Sequence, residues 1–211
     1  GTRFSQYLLE ADKTYEASLK LGEATDTGDV EGEITDTQAV PELSEAEITK
    51  LLSSFLGTHA QLPPMYSALK HKGQPLYKLA REGKTVERTP RNITVYEIEL
   101  LSFENNTLSF KARCSKGTYI RTLGEDIAKA IGTCGHLSGL RRTSCAGFTP
   151  DQMVPMDSVL DSENPAQFVL PIESAFLTTP KHVMTHDDYV LCGHGKTVDF
   201  PSELNGLLTL Y

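Results

Sequence analysis

The eight residues from Lys116 to Leu123 constrain this chain more than any other stretch, because two incompatible hydrophobic periods meet in them. Before them, Leu108, Phe110, Ala112 and Cys114 alternate with Ser109, Lys111, Arg113 and Ser115, the period of two of a half-buried strand. After Gly117, Ile120, Leu123 and Ile127, backed by Ala130 and Ile131 and closed by Gly132, carry a helical period. The chain must therefore turn from strand to helix at Gly117. Glycine permits the sharp turn, and the free N–H groups opening the new helix can face an anion. Lys116 and Arg121 flank the turn. The same pattern also suits a plain core element with a solvated cation on either side.

Around this junction the chain reads as short strands and interspersed helices. Residues 2–11 are the tail of a helix with Phe4, Tyr7 and Leu8 on one side. Tyr15, Ala17, Leu19 and Leu21 alternate with Thr14, Glu16, Ser18 and Lys20, a strand with Tyr15 at the start of its apolar face. On pattern alone Tyr15 is a core aromatic. Thr25 to Asp29 is a turn-rich loop, and its acids Asp26, Asp29, Glu31 and Glu33 lack the register of a calcium loop. Ser44 and Glu47 form a capping box for a helix through Ile48, Leu51, Leu52, Phe55 and Leu56, stopped by Gly57. Pro63-Pro64 forces an extended approach to Tyr66. Pro75 starts a short helix that Gly83 ends. Residues 93–103 form a strand turning at Glu104-Asn105-Asn106, residues 137–148 form another, and Asp157 caps a short helix containing Leu160. From about residue 166 the pieces are short and strand-like, with Gly193, Gly195 and Gly206. The whole implies an α+β fold with a mixed, mainly antiparallel sheet flanked by helices.

Composition sets outer bounds. A chain of 211 residues, 39% hydrophobic, can bury one good core and a smaller second unit. It has no apolar run long enough to cross a membrane. The four cysteines, Cys114, Cys134, Cys145 and Cys192, form no C-x-x-C pair and suit reduced thiols in the cytoplasm. His182, His186, Cys192 and His194 match no standard zinc spacing, so no metal is expected. The net charge of −8 argues against a nucleic-acid partner until its distribution is considered. Residues 66–92 and 111–142 each carry seven Lys/Arg against two acids, leaving the remainder at −18. Such concentration predicts a basic face on an acidic protein. Tyr66, Tyr77, Tyr96 and Tyr119 interleave with the cations and offer stacking surfaces for unpaired bases.

Four ordered blocks carry a family resemblance covering roughly residues 2 to 160. They are Asp12-Lys13-Thr14-Tyr15; Pro63 to Lys70, continuing through Gly73, Tyr77, Ala80, Arg81 and Gly83; Lys116 to Leu123; and Leu140-Arg141-Arg142-Thr143. Together they resemble the TruB family of tRNA pseudouridine synthases. The resemblance implies a pseudouridine synthase catalytic domain over residues 1–165, and the start of a small C-terminal RNA-binding domain over 166–211. It implies an isomerase that converts the TΨC-loop uridine of tRNA to pseudouridine, as a cytoplasmic monomer without cofactor or metal. Uridine isomerisation requires the base flipped from its stack, a carboxylate nucleophile and loss of the C5 proton. By match to the blocks, Tyr15 stacks on the flipped uracil and helps remove that proton, and Arg141 pairs with the nucleophile. Leu160 falls where members contact substrate, while Lys70, Lys72, Lys116, Tyr119, Arg121 and Arg142 contact RNA. A tyrosine near the substrate in some members is Gly139 here. The family's nucleophile lies in a Gly-x-Leu-Asp-Pro block that these 211 residues do not contain, so the chain alone is expected to be inactive. Two alternatives use the same scaffold: a non-catalytic RNA-binding or RNA-folding module, and a synthase directed by guide RNA. The latter usually carries lysine-rich tails, and this chain shows none.

Overall fold

The computed structural model describes residues 5–176, 180–198 and 209–210, with Ser5, Gln6, Tyr7, Lys181, Thr209 and Leu210 described by backbone alone. Phe4, the Tyr7 side chain and Gly206 lie outside the described residues. The first elements are α1 (Ser5–Glu10), β1 (Lys13–Leu21), β2 (Glu23–Thr25), β3 (Ile34–Thr37), α2 (Glu45–Ser53) and β4 (Gly57–Gln61). There follow β5 (Lys70–His71), β6 (Gln74–Pro75), α3 (Leu76–Arg81), β7 (Arg91–Glu104), β8 (Thr107–Cys114), α4 (Ile120–Ile131) and β9 (Gly135–Cys145). The last are α5 (Met156–Leu160), β10 (Lys181–His182), α6 (His186–Gly193) and β11 (Thr209–Leu210). The chain divides into two compact units, residues 10–145 and residues 1–9 with 146–211.

The first unit is built on a five-stranded sheet in the order β4-β7-β8-β1-β9, antiparallel at every pairing. Its register follows the alternation in the sequence. Tyr15 faces Ala112, Ala17 faces Phe110 and Leu19 faces Leu108, so the apolar sets of β1 and β8 fall on one face. Val95, Ile98 and Leu100 of β7 extend that face against Cys114, Ala112 and Phe110. Helix α2 contributes Ile48 and Leu52, and α4 contributes Ile120, Leu123, Ile127 and Ala128, to the same buried cluster. Each fully buried Leu, Ile or Phe contributes roughly 1.5–3 kcal/mol relative to exposure. Gly124 lets α4 approach β9 closely: a Cβ there would lie 2.9 Å from Leu137 Cδ2. Burial pushes the Cys114 thiol up to about 12, so this core cysteine stays protonated.

The turn chemistry accounts for the connections. Asn105 and Asn106 both take positive φ, which a two-residue hairpin turn between β7 and β8 requires. Lys72 and Gly73 do the same between β5 and β6. The α2 capping box is formed as expected: Glu47 N–H donates to Ser44 Oγ at 3.3 Å, and Ser44 N–H donates to Glu47 Oε2 at 2.8 Å. Pro75 stands one position earlier relative to α3 than expected, as an extended N-cap before the first helical residue Leu76. Several elements differ from the sequence expectation. Strand β9 ends at Cys145 rather than at residue 148. Beyond residue 164, where short strands are expected, the described residues mostly form helical turns at Pro165–Phe168 and Ile172–Phe176 and the helix α6. Helix α2 ends at Ser53 with Ser54 as its C-cap, and Gly57 instead opens β4 at φ 96°. Asp157 sits inside the first turn of α5, whose N-cap is Pro155 with no side-chain cap bond.

Candidate active site

Tyr15 sits near the start of β1 at the rim of the core, half-buried. Its partner across the β1–β9 pairing is Arg142, whose guanidinium carbon lies 5.5 Å from the Tyr15 ring centroid. Arg141 pairs in register with Glu16, and strand alternation sets that pair on the other face of the sheet from Tyr15 and Arg142. Arg141 is exposed and makes no hydrogen bond or ion pair among the described residues. The sheet thus brings Tyr15 and Arg142 together, and leaves Arg141 with its five donors available on the adjoining strand. Gly139 pairs with Ser18, two residues from Arg141 on β9.

The Gly117 junction is held by a residue the sequence reading missed. Gly117 turns at φ 78°, and Thr118 Oγ1 donates to the Ser115 carbonyl at 2.9 Å. Gln61, at the end of β4 and 3% exposed, uses both ends of its side-chain amide on Tyr119. Tyr119 N–H donates to Gln61 Oε1 at 2.8 Å, and Gln61 Nε2 donates to the Tyr119 carbonyl at 3.1 Å. A buried amide so satisfied fixes the N-cap of α4. It also holds the start of the helix from which Arg121, two residues further along, projects.

Arg121 works as a clamp. Its Nη1 donates to the Thr27 carbonyl at 2.9 Å and to Asp29 Oδ2 at 2.9 Å, and its Nη2 donates to the Tyr66 carbonyl at 2.7 Å. The fork of one guanidinium thus ties α4 to the 25–32 loop and to the Tyr66 block. That loop is in turn anchored to β9, since Leu137 N–H donates to the Gly28 carbonyl at 3.0 Å and Val30 N–H to the Leu137 carbonyl at 3.1 Å. Tyr66 OH donates to Asp26 Oδ2 at 3.3 Å. Asp26 and Asp29, which the sequence reading considered only as calcium ligands, are the acceptors of this scaffold. The Thr-x-Thr-Gly-Asp run was the available signal, because Thr25 Oγ1 and Thr27 Oγ1 close the turn on Asp29.

Several cations of the two basic windows are engaged within the fold. Arg113 pairs with Asp12 and Glu97, Lys116 with Glu10, Arg121 with Asp29, Lys129 with Asp126 and Lys84 with Glu82. Lys70, Lys72, Lys78, Arg81, Arg88 and Arg91 have no ion pair among the described residues, so the unpaired positive charge gathers in the 66–92 window. Tyr77 and Tyr96 carry guanidinium groups over their rings, Arg81 at 5.6 Å and Arg113 at 4.6 Å. Leu160, the last residue of α5, belongs to the second unit and is exposed.

Glu125, beside the Arg121 clamp, has its carboxyl pushed up by burial, against the pull of Lys129 and, more weakly, of Arg121 and Arg88. A folded-state pKa above the unfolded one leaves no penalty while both states are protonated. Stability then falls as pH rises from the ordinary glutamate value through the folded one. Glu125→Gln is therefore expected to raise the melting temperature at neutral pH and to leave it nearly unchanged below the ordinary glutamate range. Calorimetry at the two pH values checks this, and an unchanged or lower neutral-pH melting temperature contradicts it.

A five-stranded antiparallel sheet with helices α2 and α4 on its core face is the scaffold of a pseudouridine synthase. The family model for the N-terminal domain of the TruB family pseudouridylate synthases matches residues 1–120, and that for the tRNA pseudouridylate synthase B C-terminal domain matches residues 121–177. The chain belongs to the TruB family. It is 45% identical to tRNA pseudouridine synthase B of Francisella philomiragia over 100% of this chain and 71% of that protein. It is 49% identical to the protein of that name from Chromohalobacter salexigens over 85% of this chain and 59% of the relative. Among solved structures, a Cbf5-Nop10-Gar1 complex matches with a TM-score of 0.68 at 26% identity, over 92% of this chain and 52% of the other. An H/ACA ribonucleoprotein bound to a substrate RNA shares the fold, with a TM-score of 0.67 at 23% identity.

Proposed function

We propose that this chain is the greater part of a tRNA pseudouridine synthase that isomerises the uridine of the TΨC loop. The observation that carries the reading is the facing of Tyr15 and Arg142 across β1 and β9 with Arg141 adjoining, in a chain 45% identical to a named tRNA pseudouridine synthase B. The lower, 26% identity to the Cbf5 complex favours a tRNA enzyme over a guide-directed one. The reaction breaks the N-glycosidic bond, turns the uracil and rejoins it through C5, releasing the C5 proton. It is redox-neutral and needs no cofactor or metal. The flipped uracil stacks on the Tyr15 ring, and the Tyr15 hydroxyl helps take the C5 proton. The nucleophile is the aspartate of the family's Gly-x-Leu-Asp-Pro block, and the family resemblance gives Arg141 the role of holding it ionised and aimed. Arg141 lies across the edge strand β9 from the face that carries Tyr15, so the carboxylate must reach it around that edge. Lys70, Lys72 and Arg142 contact the RNA, together with Lys116, Tyr119 and Arg121, the last mainly by positioning the Tyr66 block. Leu160 touches the substrate, and the residues from 166 onward begin an RNA-binding domain. The enzyme acts as a cytoplasmic monomer.

Binding tests the reading. The complete protein is expected to hold a TΨC stem-loop in preference to an unrelated hairpin, with log affinity falling linearly against log salt. A salt-independent affinity, or equal binding of the two hairpins, counts against it. Binding that is normal in a protein unable to form product, with the aspartate block intact, would mark an RNA-folding module.

A further inference from the structure

Beside the β5–β6 hairpin the structure holds a cavity of about 150 Å³ lined by Pro63, Leu69, Lys70, His71, Leu76, Glu87, Arg88, Thr89 and Arg91. The lining is one-sided in charge. Lys70, Arg88 and Arg91 are cationic and His71 can become so, while Glu87 is the one acid. None of the three cations has an ion-pair partner among the described residues. Leu69, Leu76 and Pro63 supply apolar walls, which strengthen any charge interaction made inside.

Arg88 carries the decisive detail. Its Nη1 donates to the Pro63 carbonyl at 3.0 Å, which fixes the guanidinium at the cavity wall. Its Nε–H is sealed from solvent and has no acceptor among the described residues. A buried guanidinium donor without a partner is unfavourable, and a group seated in the adjoining cavity would offer it an acceptor. A planar guanidinium offers donors matched to two oxygens of a tetrahedral anion, and Lys70 and Arg91 add point charge around the same space.

We propose that this cavity receives one phosphate group, and that its occupant is a single backbone phosphodiester of the bound RNA. The assignment rests on the RNA-binding reading above, and the choice of diester follows from the cavity's place in the window where unpaired cations gather. The 66–92 segment then holds its RNA at one seated phosphate, rather than through a diffuse basic surface alone. A seated phosphate fixes register along the strand without reading sequence.

The test uses the complete protein and a TΨC stem-loop, with three readouts. Replacing backbone phosphates one at a time by neutral methylphosphonates is expected to reduce affinity about tenfold at one position, well beyond the others. Lys70→Gln and Arg91→Gln are each expected to lower the salt slope by about one and to flatten that position's effect. These two are chosen because Arg88 also holds the Pro63 carbonyl, so its replacement could disturb the fold. The Arg88 Nε–H resonance is expected to shift on adding the stem-loop and not on adding inorganic phosphate. A shift with inorganic phosphate and a flat methylphosphonate profile would overturn the diester assignment. No shift with either, and unchanged salt slopes, would overturn the site. A wild-type protein that does not bind the stem-loop at all defeats the broader functional reading instead, and so separates the two failures.

Discussion

Tyr15→Phe in the complete protein is expected to bind its RNA with near-wild-type affinity and to form product roughly 10²–10⁴-fold more slowly, the usual contribution of a positioned acid–base group. The structure makes this a clean substitution. The Tyr15 ring packs at the rim of the core and faces the Arg142 guanidinium, and phenylalanine keeps both contacts. The hydroxyl makes no hydrogen bond among the described residues, so removing it breaks none within the fold. The unfolding free energy should therefore stay within the ordinary scatter of surface substitutions, about 0.5 kcal/mol. Stacking on the flipped uracil also survives, because a phenyl face stacks as a phenol face does. The decisive measurement is single-turnover rate at saturating enzyme alongside the dissociation constant. If the rate is unchanged, Tyr15 is a core aromatic and nothing more, which is what its alternating pattern with Ala17 and Leu19 suggests in isolation.

That ambiguity shows where the sequence was informative and where it was not. The central strands were legible because one face of each is buried: β8 alternates without a break from Leu108 to Cys114, and β1 from Ala17 to Leu21. The Asn105-Asn106 turn and the Ser44–Glu47 box were legible because each depends on local chemistry alone. The hairpin of β2 and β3 was not, since all four residues of β3 are exposed and leave no apolar period to read. Strand β4 was hidden for a related reason: its buried member is Gln61, a polar residue whose partner is the backbone of Tyr119, 58 residues away. The same distance effect applies to the site. Arg121 was read as a cation flanking a turn, but its acceptors lie in the 25–32 loop and the Tyr66 block, and only the tertiary fold brings them within reach. Net charge misled in a similar way. Five cations of the two windows are matched with acids that lie within the windows or outside them, so the basic surface is narrower than the count implies.

Two adjacent arginines present the sharpest test, because the β1–β9 register assigns them different surroundings. Arg142 faces the Tyr15 ring, where a cation is worth about 0.5–1 kcal/mol at an exposed site. Lysine can replace most of that, so Arg142→Lys should alter turnover only a few-fold. Arg141 stands on the neighbouring position opposite Glu16, with no hydrogen bond or ion pair among the described residues, and is proposed to grip the nucleophilic carboxylate. A carboxylate covered by a stacked base has its pKa raised by desolvation, which leaves less of it ionised at neutral pH. A guanidinium opposes this and holds both oxygens, fixing the direction of attack, whereas an ammonium supplies the charge without the fork. Arg141→Lys in the complete protein is therefore expected to bind tRNA almost normally and to react about a hundredfold more slowly, the scale of a misplaced reacting group. Its activity should also need a higher pH, because the nucleophile must be deprotonated and the weaker partner leaves its pKa higher. If Arg141→Lys instead weakens tRNA binding and leaves the rate of bound substrate intact, Arg141 is a phosphate contact. If Arg142→Lys is the variant that loses turnover, the carboxylate lies on the Tyr15 face of the sheet, and the register of β9 has chosen the other arginine of the pair.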